Sequence, residues 1–368
     1  MLAYRGIAYN IEGYEVGRVD LVKEDDKGIS YLLAFPAERG FGLIRCGQPN
    51  VGVFTSPAWY STQRIILKDG DIVRINSVGD LFVVFENNSD ENAFLVTDNC
   101  NSRCVMCPQP PCVHQRKFYE EVKDILSLVN VVPEVIAITG GEPLLYYDDF
   151  VRLIGYVRQY LPGANIQLLT NARVLKDAQK ALEIVDASDD SVTFCVPLYA
   201  DTPFVHDALV GVNGAFWETM EALHHLGKLS ANIELRNVIL SPNVSRLQKW
   251  ADFVSKNMPF VGRVALMGME PIGLARKNIE TLWVDPVDYQ DELKEAVKNF
   301  VRTGIPVSIF NHQLCVVHEV LWQYCVKSIC NWKVRYIDMC TDCMKKELCG
   351  GIFFAGVDKH SRGIQAIK

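Results

Sequence analysis

Three cysteines, Cys100, Cys104 and Cys107, fall in a C-x3-C-x2-C spacing just after the apolar run Ala93-Phe94-Leu95-Val96. Three thiolates so placed can hold three irons of a [4Fe-4S] cube and leave the fourth iron open to an outside ligand, which makes it a place for chemistry. Zinc is the competing metal, and Cys112 or His114 is near enough in sequence to complete a zinc site. A second set lies near the C-terminus: Cys315, then Cys340 and Cys343, then Cys349. Four thiolates close a cube completely, and they also suit tetrahedral zinc. Cys325 and Cys330 compete for that set. Cys325 follows Leu321 by one helical turn and reads as a core thiol, while Cys330 stays open.

A second motif, Thr139-Gly140-Gly141-Glu142-Pro143, sits between a strand-like run, Val135 to Ile138, and a helix starting near Asp148. Two glycines allow close backbone approach, the strand end leaves amides and carbonyls for a ligand, and Glu142 offers an acceptor for an ammonium group. By itself the motif also reads as an ordinary strand-to-helix turn. Thr170 and Asn171 end another strand-like run, and Glu234 and Arg236 share one face of a third, where an internal ion pair is the plain alternative. His206, Asp207 and Glu270 follow strand ends, and His312 and His318 flank Cys315.

Alternation of strands and helices must position these residues. The runs Val135–Ile138, Ile166–Leu169, Val192–Val196, Ile233–Val238 and Val264–Met267 read as strands. Between them Phe150, Leu153, Ile154, Val157 and Leu161 recur at helical spacing, with Asp148 or Asp149 as cap. Phe216, Met220 and Leu223 do the same, with Gly227 as a left-handed stop, and Leu247, Trp250, Ala251 and Val254 form a third stripe. Such alternation implies parallel strands with right-handed crossovers. The expected fold is α/β, a partial (β/α)6 TIM-like barrel with its site at the C-terminal strand ends. Residues 1–92 read as a small β-rich domain, with a hairpin turn at Lys68-Asp69-Gly70-Asp71 and a polar linker at 86–92. The barrel is expected over 93–304 and a cysteine-rich C-terminal extension over 305–368.

The 368 residues carry a formal charge of -7, with 49% hydrophobic and 22% charged residues, which is ordinary for a globular chain. No basic block favours nucleic acid as a partner. No apolar stretch approaches the roughly 20 residues of a membrane span, and Met1 to Gly6 open without an export signal. Of the twelve cysteines, the clustered ones read as metal ligands in a reduced, cytoplasmic compartment.

The cysteine spacing together with Gly-Gly-Glu-Pro resembles the radical SAM superfamily. The resemblance implies that Cys100, Cys104 and Cys107 ligate iron and that the open iron chelates S-adenosylmethionine. It places Gly140, Gly141 and Glu142 along the amino group of that cofactor, with Pro143 shaping the turn. Met106 stands where the family usually has an aromatic residue beside the adenine, and a thioether can also lie on a ring. Thr170 and Asn171 are implied as polar contacts, and Arg236 as a partner of the carboxylate. Within the superfamily, Cys107-Pro108-Gln109-Pro110-Pro111, Pro197-Leu198-Tyr199-Ala200-Asp201 with His206-Asp207, Val264 to Pro271, and Cys349-Gly350-Gly351-Ile352-Phe353-Phe354 resemble the C-type maturase of the His-Xaa-Ser repeat peptide system. That resemblance implies an enzyme modifying a ribosomally made precursor peptide, with a second radical SAM maturase as partner; an external electron donor is expected too, and the spacing of Cys315, Cys340, Cys343 and Cys349 suggests a second [4Fe-4S] cluster, with zinc as the alternative. The alternatives are a radical SAM enzyme acting on a small molecule or RNA, and a non-catalytic iron-sulfur or zinc sensor or scaffold.

Overall fold

A computed structural model describes residues 3–25, 28–36, 40–47, 56–89, 92–111, 116–327 and 334–368. The chain forms two compact units. One comprises Met1–Val96, Lys117–Ile138 and Tyr147–Ile166, and the other Thr97–Arg116, Thr139–Tyr146 and Gln167–Lys368.

The first unit contains an eight-stranded sheet built from β1 (Ala3–Arg5), β2 (Ile7–Tyr9), β3 (Tyr14–Asp25), β4 (Gly28–Ala34), β5 (Phe41–Gly47), β6 (Ala58–Ser61), β7 (Ile72–Asn76) and β8 (Asp80–Phe85). The strand order is β1-β8-β7-β3-β4-β5-β6-β2. Burial alternates along β4 and β8, so Tyr31, Leu33, Leu81 and Val83 join Val19, Ile44 and Trp59 in one core. The hairpin expected at Lys68-Asp69-Gly70-Asp71 does not form, because residues 64–67 before the turn are not a strand. A side chain replaces the ladder there: Tyr31 Oη donates to the Ile65 carbonyl at 2.8 Å and accepts from the Leu67 amide at 3.4 Å. Ile65 and Leu67 are buried while Ile66 is 73% exposed. The polar run at 86–92 is also more structured than a linker, because Asn92 accepts from the Glu86 amide and donates to the carbonyls of Glu86 and Ser89. Helix α1 (Tyr119–Leu128) has no basic residue in its last turn, and Arg18 supplies one by donating to the Leu128 carbonyl at 3.1 Å.

A second sheet runs in chain order through β9 (Ala93–Leu95), β10 (Val135–Thr139), β11 (Asn165–Leu169), β12 (Val192–Pro197), β13 (Asn232–Ile239), β14 (Arg263–Gly268), β15 (Val307–Phe310) and β16 (Cys325–Val326). Strands β12 to β16 pair in parallel. Helix α2 (Tyr147–Tyr160) follows β10, α3 (Ala178–Ser188) follows β11, α4 (Pro203–Val210) and α5 (Ala215–Lys228) follow β12, and α6 (Leu247–Asn257) follows β13. After β14 come α7 (Gly273–Lys277), α8 (Ile279–Leu282) and α9 (Gln290–Thr303). This is the alternating α/β architecture that the periodicity implies, with α-helices in the parallel connections from β12 to β15 and only 3-10 turns between β15 and β16.

Three local readings differ. Asp148 and Asp149 do not cap α2, because a 3-10 turn, Pro143–Tyr146, leads directly into it. Both aspartates lie in the first helical turn, where they favour the helix dipole, and Asp149 also pairs with Lys117 at 3.0 Å and with Arg152. Gly227 is not a left-handed stop but lies inside α5; a Cβ there would come within 2.5 Å of the Phe260 ring. Ser230 adopts the left-handed conformation instead, with φ 56°. The sheet also continues past residue 305 through β15 and β16, where the apolar runs are too short to stand out in sequence. Beyond them β17 (Val334–Arg335) and β18 (Ile352–Phe353) pair antiparallel, and Val316, Ile352 and Ile364 form a small core against Cys315, Ile337 and Cys340. Among the described residues no helix is long and apolar enough to cross a membrane.

Candidate active site

The cysteine loop has no regular secondary structure from Ser102 to Cys104 and is held by distant elements. The amides of Arg103 and Val105 donate to the carbonyls of Val210 and Leu209, each at 2.9 Å. These are last-turn carbonyls of α4, which lack partners inside the helix. The Leu274 amide donates to the Cys107 carbonyl at 2.8 Å, and Asn278 Nδ2 to the Val105 carbonyl at 2.8 Å. Gly211 and Gly273 make this approach possible. Each has positive φ, and a Cβ would meet the Arg103 carbonyl at 2.5 Å or the Pro108 carbonyl at 2.4 Å. Met106 is buried among Tyr199, Leu209 and Met269.

The glycines of the second motif serve a close approach within the chain. A Cβ on Gly141 would lie 2.1 Å from the Asn99 carbonyl oxygen, and one on Gly140 2.7 Å from that of Thr97. The amides of Gly141 and Glu142 are not left for a ligand, as the strand end suggested; they donate to the Thr97 and Asn99 carbonyls at 2.7 and 2.8 Å. Glu142 is 1% exposed. Its Oε1 accepts from the Leu144 amide at 2.9 Å and from Thr170 Oγ1 at 2.5 Å, and its Oε2 from the Asn171 amide at 2.7 Å. Burial pushes this carboxyl up from its ordinary pKa, although all three hydrogen bonds pull the other way.

Asn171 and Arg173 tie the end of β11 to the cysteine loop. Asn171 Nδ2 donates to Asn101 Oδ1 at 2.7 Å, and Arg173 Nη1 donates to the Asn101 carbonyl at 2.8 Å and to Ser102 Oγ at 3.1 Å. Between them Ala172 is fully buried with φ 59°. Arg173 was not among the expected site residues, although it follows Asn171 by two positions.

Cys100, Cys104 and Cys107 line one open cavity, with about 1300 Å³ of empty space when the solvent at its mouth is included. Met106, Gly140, Gly141 and Glu142 lie on its wall, and so do Thr170, Asn171 and Arg236. Pro143 is buried at the start of its 3-10 turn, off the wall. The wall also includes Cys195, Tyr199 and Glu270. Gly268 lines it too, but its closest approach is to the chain, 2.7 Å from a Cβ to the Asn311 carbonyl. Arg236 Nε donates to Glu234 Oε1 at 2.6 Å, and Arg263 takes Glu234 Oε2 at 2.6 Å, so the internal ion pair forms. Burial alone would lower the Arg236 pKa, and Cys195 and Glu234 more than offset it.

Burial pushes the Cys100 thiol up to about 11 and the Cys104 thiol up to about 12, and neighbouring thiols add to both shifts. Thiols held this way deprotonate when a cation shares the site. The donor set therefore fits a cationic iron-sulfur core. Among the described residues no three His, Cys, Asp or Glu side chains meet as ligands of a single metal ion; a cube holds its thiolates at separate corners. Cys112 and His114 lie outside the described residues.

His206 and Asp207 have structural partners. His206 Nδ1 accepts from the Tyr199 amide at 3.2 Å, and burial lowers its pKa to about 4, which keeps the ring neutral. Asp207 accepts from the amides of Gly214 and Phe216 at 2.6 and 2.8 Å, at the start of α5.

Cys315, Cys340, Cys343 and Cys349 line a second, smaller cavity. Amide donors reach its sulfurs: Ile367 to Cys343 and Gly351 to Cys349, each at 3.4 Å. Cys325 is half-buried, donates to the Leu321 carbonyl at 3.5 Å and does not line this cavity; Cys330 lies outside the described residues. His312 Nε2 accepts from Tyr289 Oη at 2.8 Å if its Nδ1 donates to the Phe310 carbonyl, and His318 meets Asp291 at 3.0 Å.

The model of the Radical SAM superfamily matches residues 94–254. GTP 3',8-cyclase of Campylobacter jejuni subsp. doylei is 35% identical over 96 residues, covering 24% of this chain and 29% of the relative. The Clostridium botulinum enzyme of the same name is 32% identical over 94 residues, with the same coverage. The chain thus spans less than a third of the length of these curated relatives. Streptococcus suis SuiB bound to S-adenosylmethionine gives a TM-score of 0.45 at 14% identity, covering 59% of this chain and 46% of the other. Native anSMEcpe with bound AdoMet and the Kp18Cys peptide gives 0.47 at 17% identity, covering 59% and 62%. The span matched by the superfamily model, residues 94–254, holds Cys100, Cys104, Cys107 and the Gly140–Pro143 turn, and over that span the chain is similar to radical SAM proteins.

Proposed function

We propose that the protein binds a [4Fe-4S] cluster on Cys100, Cys104 and Cys107, binds S-adenosylmethionine beside it, and modifies a ribosomally made precursor peptide of the His-Xaa-Ser repeat type. The observation that carries the reading is the single cavity shared by the three thiols and the Gly140–Glu142 turn. With S-adenosylmethionine bound, a reduced cluster on these thiolates would supply radical chemistry, the abstraction of a hydrogen atom from a substrate. The chain's own part is to hold the loop, line the cavity and limit water. Met106, Thr170, Asn171 and Arg236 line the same cavity and would contact the cofactor, with Glu142 fixing the turn that carries Gly140 and Gly141. A second [4Fe-4S] cluster on Cys315, Cys340, Cys343 and Cys349 is part of this reading, as are a second radical SAM maturase, an external electron donor and a cytoplasmic setting.

The peptide substrate rests on the motif resemblance through residues 93–356. A small-molecule reading draws on the curated relatives, whose name is that of a nucleotide cyclase. Two measurements separate the possibilities. Anaerobically reconstituted, reduced protein should release 5'-deoxyadenosine from S-adenosylmethionine; none at all would reject the enzyme and leave a sensor or scaffold. A co-expressed precursor should change mass only when this protein is present, and an unchanged mass with active cofactor cleavage would favour the small-molecule reading.

A further inference from the structure

Arg173 reaches the cysteine loop through the Asn101 carbonyl and Ser102 Oγ, and its side chain is 11% exposed. Its Nε donates to Glu218 Oε2 at 2.6 Å, and Lys176 Nζ takes Glu218 Oε1 at 2.5 Å. One carboxylate thus faces two cations, and the trio keeps a net positive charge beside the loop. A guanidinium stays charged at any working pH, so this charge is permanent.

The reduction potential of an iron-sulfur cluster depends on net charge, hydrogen bonding and exposure. Adding an electron to a cluster held by three thiolates makes an anionic site more anionic, and a nearby fixed cation favours that form. Resting on the reading that Cys100, Cys104 and Cys107 hold a reducible cluster, we infer that Arg173 is a positioning residue that sets the potential of that cluster. It pins Asn101 and Ser102 in place and presents a positive charge that Glu218 only partly offsets. The electron itself comes from an external reductant, and Arg173 neither gains nor loses a proton. Glu218 is then the counterweight, holding the potential lower than the two cations alone would.

The test is a redox titration of the reconstituted full-length protein with dithionite, followed by electron paramagnetic resonance. The signal that changes when S-adenosylmethionine is added marks the cluster with the open iron. Arg173→Gln should shift its midpoint to more negative potential, Glu218→Gln to less negative potential, and Arg173→Lys should stay near the wild type. A role confined to holding the loop would not produce opposite shifts. Unchanged midpoints in both Gln variants at wild-type iron content would overturn the inference. If Arg173→Gln takes up no iron, Glu218→Gln decides alone: an upward shift supports the inference, and an unchanged or lowered midpoint overturns it. Wild-type protein that binds no iron would overturn the underlying reading, and this inference with it.

Discussion

The carboxylate of Glu142 serves its own chain first. Its three donors, from Leu144, Thr170 and Asn171, lock the ends of β10 and β11 together. Replacing it by Ala would strand these buried donors, at about 1–3 kcal/mol each where water cannot reach them. Glu142→Ala should therefore lose about 3 kcal/mol or more in urea unfolding, and Glu142→Gln clearly less; a loss below about 1 kcal/mol for Ala would contradict the tie. His206 makes a pH prediction. Its folded pKa, about 4, lies below the ordinary histidine value of 6.5, so the unfolded chain binds the extra proton first as pH falls. Its contribution to stability is complete above about pH 6.5 and is lost as pH falls toward 4. In His206→Asn, whose side-chain oxygen can still accept from the Tyr199 amide, urea midpoints should fall less steeply between pH 7 and 4. An identical slope would remove His206 from the account. At this scale the sequence exposed the thiols, because spacing within one loop is local information. It did not expose Arg173, whose partner Asn101 is 72 residues away.

Among the elements, helix stripes and most strands were legible, since burial follows periods of 3.6 and 2 residues. Phe150, Leu153, Ile154 and Val157 are buried along α2, as are Leu247, Trp250, Ala251 and Val254 along α6. The glycines were harder to read. Gly227 has the local signature of a helix end, yet its role is tertiary, making room for Phe260. On an open helix face Gly→Ala gains about 0.5–1 kcal/mol. Gly227→Ala should instead cost about 1–3 kcal/mol by overpacking, and a stabilised variant in thermal unfolding would show that Phe260 gives way. Gly141→Ala tests the motif itself. Its Cβ would collide with backbone, the Asn99 carbonyl, so the turn and the cysteine loop must separate. Iron uptake should fall severalfold while far-ultraviolet circular dichroism stays unchanged; normal uptake would mean that the loop tolerates the shift.

For the molecule as a whole, the sequence indicated alternating α/β architecture but understated how the C-terminal part is built. Cys315, Cys340, Cys343 and Cys349 line one cavity, and residues 364–367 take part: Ile364 and Ile367 line it, and the Ile367 carbonyl accepts from the Met344 amide at 2.9 Å. Nothing in the composition of that tail announces this. If both thiol sets carry cubes, Cys340→Ala with Cys343→Ala should lower iron and sulfide by about half, since one of two clusters is lost. Unchanged iron with lost zinc would make the second site a zinc site. The anchoring of the cysteine loop on α4 carries a further consequence, for the order of events during folding. The carbonyls that receive Arg103 and Val105 belong to Leu209 and Val210, and the amide that holds Cys107 belongs to Leu274. A chain emerging from the ribosome presents its three thiols long before these anchors exist. Metal uptake should then trail the folding of the domain, and in refolding experiments cluster absorbance should rise after tryptophan fluorescence has settled. The metal would thus report that the fold around it is already complete.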